Sequence, residues 1–276
     1  MQSLKEITIT VVTKESTTKK PDVIIEEAPL QIIIEYGNQL NRQQEPLSVT
    51  MRTPGDDVNL AKGFLFNEGI VKHSEDIFSV EHTGNPVKES AVLVKLAENV
   101  AFNAAANKRN FVAAAACGFC GKTNADIINE QSYNVLNNEF FVDAKNIYAL
   151  PQQINTTQNL FSQSGGSHAV ALIGKNGQLI HLCEDVGRHN AMDKLVGFMF
   201  AQNKLPLSNC LLLFSGRLGY ELVQKSLMAG IPVICAIGAP SSLAIELAEK
   251  NNLTVIGFLK KDRFNVYCSA QRIIHT

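Results

Sequence analysis

The chain has 276 residues, which at about 150 residues per domain is one large or two ordinary domains and excludes a peptide hormone or a disulfide-stapled miniprotein. Its 25 Lys and Arg against 26 Asp and Glu leave a net charge of −1, so no global basic field exists to hold duplex nucleic acid or an anionic membrane, and any anion site must be local. With 45% hydrophobic and 18% charged residues, the sequence carries enough apolar material for a core and too little charge for disorder.

Residues 1–14 alternate apolar and polar side chains through ITITVV and lack the apolar block of a secretory signal, so a reducing, cytoplasmic location is expected. The longest apolar runs, such as 112–117 or 211–214, fall far short of the ~18 residues of a membrane span. Residues 7–12, 22–25, 30–36, 47–52 and 91–96 read as strands, which makes the first half mostly β. One helix interrupts it. Asp56 and Asp57 offer N-caps, Val58, Ala61 and Leu65 recur at helical spacing, and Gly69 suits the stop; its apolar face should pack on the sheet. A small-residue stretch around Lys108 and Arg109 leads to Cys117 and Cys120. Residues 128–150 are polar and Asn-rich, so a boundary is expected near 145, between a β-rich part (1–145) and a second part (146–276).

The second part alternates differently. Residues 168–173 and 179–183 flank Lys175-Asn176-Gly177-Gln178, and Asn-Gly is a strong hairpin signal because both turn positions tolerate positive φ. Met192, Leu195, Val196 and Met199 mark a helix. Strands at 210–214, 232–236 and 253–257 then alternate with helices near 219–229 and 240–250, with Gly230 and Pro232 stopping the first and Pro240 in the opening turn of the second. Such alternation implies parallel strands, whose binding crevice lies at their carboxyl ends. Those ends are Ser215-Gly216-Arg217, the 238–241 turn, and Phe258, Leu259, Lys260, Lys261, Asp262 and Arg263. The hairpin brings Gly165, Gly166 and His168, with Arg188 and His189, to the same rim. Two of the loops enter helices, whose free N–H groups favour anions, and Arg217 supplies a fork for phosphate. Each feature singly is also ordinary turn chemistry or a solvated loop, a lone His is more often structural than catalytic, and Asp185, Arg188, Asp193 and Lys194 also fit a helix-start charge network. Their convergence is what points to a phosphate-bearing ligand.

Of six cysteines, only Cys117 and Cys120 are closely spaced. A Cys-Gly-x-Cys spacing can lower a thiol pKa into the physiological range, with Lys122 and Arg109 available to stabilise a thiolate, so Cys117 is a candidate nucleophile on a small-residue loop. A zinc site would need two more ligands at comparable spacing, and no second pair exists. Cys183, Cys210, Cys235 and Cys268 fall in or beside predicted strands and read as small core residues. Thioredoxin-like dithiol exchange uses the same spacing, but the pair does not open a helix after a strand. A zinc nucleobase deaminase needs His-x-Glu before Pro-Cys-x-x-Cys; Val170 holds the Glu position and the cysteine pair precedes the His, which disfavours the chemistry but not a deaminase-like α/β architecture.

Together these segments resemble the FdhD family of formate dehydrogenase accessory sulfurtransferases: RTPGDDVNLAKGFLFNEGI (52–70), CGFCGK (117–122), GGSHAVAL (165–172), EDVGRHNAMDKLVG (184–197), SGRLGYELVQKSLMAGIP (215–232) and GFLKKDRFNVY (257–267). The likeness spans most of the chain. Cys183 stands where the pattern often has Arg, and Ser164 where it often has Thr. The resemblance implies an α+β protein whose second part is cytidine-deaminase-like with a mixed sheet, and a homodimer. It implies a sulfur carrier that accepts persulfide sulfur from a cysteine desulfurase on Cys117, with Cys120 assisting transfer or resolving the persulfide. The sulfur would pass to molybdenum in a bis(molybdopterin guanine dinucleotide) cofactor on the rim, before insertion into formate dehydrogenase. A chaperone that binds cofactor and client without moving sulfur is the alternative.

Overall fold

Period-two burial organises the first strands of the structure, a computed structural model that describes residues 3–83, 90–103, 112–113, 133, 136 and 139–275. β1 (Leu4–Val12) and β2 (Thr17–Ile25) form a separate antiparallel hairpin. β3 (Ala28–Tyr36) buries Ala28, Leu30, Ile32 and Ile34 on one face, and pairs antiparallel with β4 (Gln43–Arg52) and parallel with β6 (Ser90–Leu96). β5 (Ile77–Thr83) and β7 (Val112–Ala113) flank them, in the order β5-β6-β3-β4-β7. The sequence reading lacked β5 because Ser79, Glu81 and His82 break its apolar alternation; it is an edge strand with Phe78 76% exposed.

Helix α1 (Asp57–Asn67) lies where its periodicity predicts, but neither expected cap works as one. Asp56 is left-handed (φ 55°) and its side chain makes no capping hydrogen bond. Asp57 is fully buried and turned to Arg52, which grips it with two 2.8 Å hydrogen bonds and also donates to Ala28 O and Ser90 Oγ, so one guanidinium ties β3, β4, β6 and α1. The helix packs on the first sheet as expected, Leu60, Leu65 and Phe66 sharing a core with Leu30, Ile32, Val92 and Val94, and it also crosses α4 (Arg188–Ala201) closely at Gly63 and Gly197. A Cβ at Gly63 would lie 1.9 Å from Asp193 O, and one at Gly197 1.8 Å from Asn59 O, so only glycine permits this crossing.

Of the polar 128–150 stretch, the described residues 144–150 are helical. After β8 (Val142–Asp143), Asp143 accepts a hydrogen bond from Lys145 N and caps α2 (Ala144–Thr157), which buries Ile147, Leu150 and Ile154. Pro151 inside the helix and the Asn and Gln around it hide that spacing from a composition-based reading. A short helix α3 (Asn159–Ser164) precedes β9 (His168–Gly174) and β10 (Leu179–Asp185), the hairpin turned at Gly177 (φ 79°) as predicted. Then follow α4, β11 (Cys210–Phe214), α5 (Tyr220–Met228), β12 (Val233–Ala236), α6 (Ser242–Lys250), β13 (Thr254–Gly257) and β14 (Asn265–Cys268). Ser241, not Pro240, opens α6: its Oγ accepts from Ala244 N, and Pro240 lies outside the helix.

The second sheet has the order β10-β9-β11-β12-β13-β14, with β11, β12 and β13 parallel and β9 antiparallel to β11. Its faces alternate. Ala169, Ala171, Ile173, Leu211, Leu213, Val233 and Ile256 share a core with Ile147, Leu150 and Ile154 of α2. Val170, Leu172, Leu212, Phe214 and Ile234 face α4, α5 and α6 in a core that also holds Leu30, Ile32, Val92 and Val94 of the first sheet. The fold is therefore a mixed α+β arrangement in which α1 and α4 lie between two sheets. β15 (Ile273–Ile274) returns beside β8. Among the described residues no helix is long and apolar enough to cross a membrane.

Candidate functional site

Strand direction puts the ends of β10, β11, β12 and β13 and the start of β9 on one edge of the second sheet. Backbone hydrogen bonds lace three of the loops there. Gly238 N donates to Gly216 O (3.1 Å), Phe258 N to Gly238 O (3.0 Å), Leu218 N to Ala239 O (3.1 Å) and Ser241 N to Leu218 O (2.9 Å). Ser215 locks this group to β9, since its Oγ accepts from Ala169 N (2.8 Å) and its N donates to Ala169 O (3.0 Å). Its hydroxyl thus serves the loop. His168 lies against Gly216, where a Cβ would come within 3.2 Å of Nδ1.

The adjoining loop is fixed from below. Glu184 accepts hydrogen bonds from Leu160 N, Phe161 N and Ser167 Oγ, holding the start of α3. Gly165 then ends α3 in the left-handed conformation (φ 67°) that glycine adopts without strain.

The first turn of α4 is held by buried charge. Lys194 Nζ lies 2.7 Å from Asp185 Oδ2 and donates to Thr53 O, while Thr53 N donates back to Asp185. Asn190 bridges Met51 O and Asp185. One turn on, Lys225 and Asn67 both donate to Asp193, whose carboxyl is nonetheless pushed up by burial. These partners come from β4 and its following loop, α1 and α5, so the charges that sequence reads as a local helix-start network join four elements instead. Neither Thr53 nor Glu221 stands out in the sequence reading, although Thr53 lies in the RTPGDD run and Glu221 in the first turn of α5.

Arg188 and His189 open α4 on this base. Arg188 Nε and both ring nitrogens of His189 are buried with no hydrogen-bond partner, and His189 Nδ1 sits 3.3 Å from Glu221 Oε2. Burial first, then Lys225, Arg188 and His168, drives the His189 pKa down to about 3; burial and then Arg188 lower that of His168. Both rings are therefore neutral near pH 7, each with one N–H to donate and one nitrogen to accept. Buried polar atoms without partners are unfavourable by ~1–3 kcal/mol each, and a polar ligand group placed at this corner would satisfy them.

The far side of the rim is cationic. Arg217, Lys260, Lys261 and Arg263 are exposed, and among the described residues none of them forms an ion pair. Lys260 N donates to Arg263 O (2.8 Å), closing a turn with Asp262 at its exposed tip. Leu259 turns into the core at 1% exposure and anchors that turn. Phe258 is left-handed (φ 51°) and 44% exposed, a strained backbone that holds an aromatic ring in solvent at the edge of the site. The residues fit a phosphorylated, aromatic ligand: cations for phosphate, a ring for stacking, and neutral histidines with an arginine for polar groups.

Cys117 and Cys120 lie outside the described residues. Cys183, Cys235 and Cys268 are buried and Cys210 partly so; burial raises all four thiols, that of Cys183 to about 12. None is a ready thiolate.

Comparison with known proteins bears on family and fold. The sequence model of the FdhD/NarQ family matches residues 25–274. A protein of Mycobacterium tuberculosis named sulfur carrier protein FdhD is 40% identical over 263 residues, 92% of both chains. One of the same name from Saccharolobus solfataricus is 39% identical over 255 residues, again 92% of both. A crystal structure described as a formate dehydrogenase accessory protein from Desulfotalea psychrophila superposes with a TM-score of 0.78 at 22% identity, covering 99% of this chain and 100% of that one, a likeness of fold. A match over nearly the whole length, with strand directions that converge its glycine-rich and basic loops on one rim, leads to one assignment: the chain belongs to the FdhD/NarQ family.

Proposed function

We propose that this protein is a sulfur carrier that loads sulfane sulfur on Cys117 and delivers it to a guanine-dinucleotide molybdenum cofactor held on the rim. The rim supports this reading: four cations without ion-pair partners among the described residues, Phe258 in solvent, and buried Arg188 Nε and His189 Nε2 that make no hydrogen bond. The names of the relatives support sulfur carriage, and the raised thiols of Cys183, Cys210, Cys235 and Cys268 leave the Cys117–Cys120 pair as the place for it.

The Cys117 thiolate attacks the terminal sulfur of a cysteine desulfurase persulfide; the donor S–S bond breaks, its thiolate leaves, and Cys117 carries the sulfur with no net redox change. For delivery, the Cys120 thiolate attacks Cys117 Sγ, forming a disulfide and releasing the outer sulfur as hydrosulfide beside the cofactor. A dithiol reductant then restores the pair. Arg217, Lys260, Lys261 and Arg263 hold the phosphates, Phe258 stacks on a base, and Arg188, His168 and His189 orient polar groups of the cargo. The bound cofactor supplies the metal that takes up the sulfur. The client is formate dehydrogenase, the protein works in the cytoplasm, and it acts as a homodimer.

The test is intact mass after incubation with a cysteine desulfurase and cysteine. Wild type should gain one reducible sulfur and Cys117→Ala none. No gain on wild type, as a chaperone that only binds cofactor would give, or an equal gain on the variant, overturns the reading.

A further inference from the structure

Among the described residues the β1–β2 hairpin pairs with no strand of either larger sheet. Its base is anchored, since Ser3 Oγ donates to Pro54 O, Glu26 N donates to Ser3 O, and Ile25 packs on Gly166. Beyond the base every side chain is exposed or only half-buried. An isolated two-stranded hairpin is at best marginally stable in water, so an arm of nine paired positions on each strand calls for further strands.

Its two edges differ. The turn bond from Thr13 N to Ser16 O and the base bond from Glu26 N to Ser3 O show that odd-numbered β1 residues bond β2. Even-numbered ones, Leu4 to Val12, therefore turn N–H and C=O outward. Pro21 pairs with Thr8, so on β2 the outward edge has a missing N–H at its middle, a device that blocks edge pairing. The β1 edge has no such block, and Ile7, Ile9 and Val11 form a half-exposed apolar stripe on one face, with Ile24 beside it at 39% exposure.

We infer that β1 pairs antiparallel with β1 of a second copy of this chain, making a four-stranded sheet around a two-fold axis at Ile9. This inference rests on the homodimer in the proposed function and names its contact. In that register Ile9 faces the partner's Ile9, Ile7 faces the partner's Val11, and Thr8 faces the partner's Thr10. The outward-turned even residues make the backbone bonds. The charges on β1, Lys5 and Glu6, fall at opposite ends of the pair, so no like charges meet, and the contact is self-complementary as a two-fold interface requires.

The experiment is the solution mass of the full chain, with Thr8→Pro and Ile9→Lys variants and an Ile9→Cys cross-linking variant. Wild type should have twice the mass of one chain and both blocking variants the mass of one. Mild oxidation should link Ile9→Cys into a dimer that reductant reverses, above the level seen with wild type or with Thr18→Cys on the opposite strand. A monomeric wild type, a dimer untouched by both blocking variants, or no cross-link at position 9 overturns the contact. A sulfur gain on Cys117 in a chain that stays monomeric would overturn the homodimer and its arm contact but not sulfur carriage, a sulfur-loaded dimer untouched by both blocking variants would overturn the arm contact alone, and a dimer without sulfur gain would overturn sulfur carriage alone.

Discussion

The α1–α4 crossing allows a worked test. In Gly63→Ala the new Cβ would stand 1.9 Å from Asp193 O, whereas an unstrained carbon–oxygen contact is about 3.2 Å, so the helix backbones must part by roughly 1.3 Å. The obstacle is a main-chain carbonyl, which cannot rotate away, and overpacking of this kind typically costs about 3 kcal/mol at the upper end of its range. Alanine recovers about 1 kcal/mol in helix propensity, leaving a net loss near 2 kcal/mol. With an unfolding entropy of roughly 2.1 cal/mol/K per residue, that lowers Tm by about 3–4 °C. Gly197→Ala should behave alike, because its Cβ meets Asn59 O at 1.8 Å. Once one substitution has spread the helices the second meets more room, so the double variant should lose clearly less than the sum of the singles. Urea and thermal denaturation followed by circular dichroism give all three values. Additive losses, or a single loss below about 0.5 kcal/mol, would refute a crossing set by backbone contact.

Three further outcomes are expected. Arg52→Ala leaves Asp57 buried and unpaired and should lose about 3–5 kcal/mol, while Arg52→Met with Asp57→Leu should recover much of it; both are measured by urea unfolding. His189 is held to a pKa of about 3 when folded and titrates near 6.5 when unfolded, so the unfolded chain binds the extra proton between those values. Stability should therefore fall as pH drops through that window, by up to about 1.4 kcal/mol per unit. His189→Asn should flatten the slope, and an unchanged slope in that variant would remove His189 as its source. On the rim, Arg263→Glu should weaken guanosine diphosphate binding roughly tenfold by titration calorimetry, the effect of one phosphate contact, and unaltered affinity would exclude that turn from the site.

The hairpin at Asn176-Gly177 and the rim itself were legible because each rests on a local rule: a turn dipeptide, and strand–helix alternation that fixes direction. What escaped depends on contacts distant in sequence. Asp57 looks like a helix cap until Arg52 is seen beneath it, and Asp193 looks like a helix-start charge until Lys225 arrives from α5. Helix α2 was hidden by its proline, β5 by the polar residues of an edge strand, and the glycines at 63 and 197 by a spacing that means nothing until two helices cross.

Labelled sulfur reports the transfer itself. The protein is loaded from labelled cysteine and a desulfurase, freed of donor, and mixed with sulfur-free guanine-dinucleotide molybdenum cofactor. Label should move from Cys117 to the cofactor in wild type and remain on the protein in Cys120→Ser. Label that never leaves the wild-type protein, or that reaches the cofactor equally from Cys117→Ala, would contradict the account.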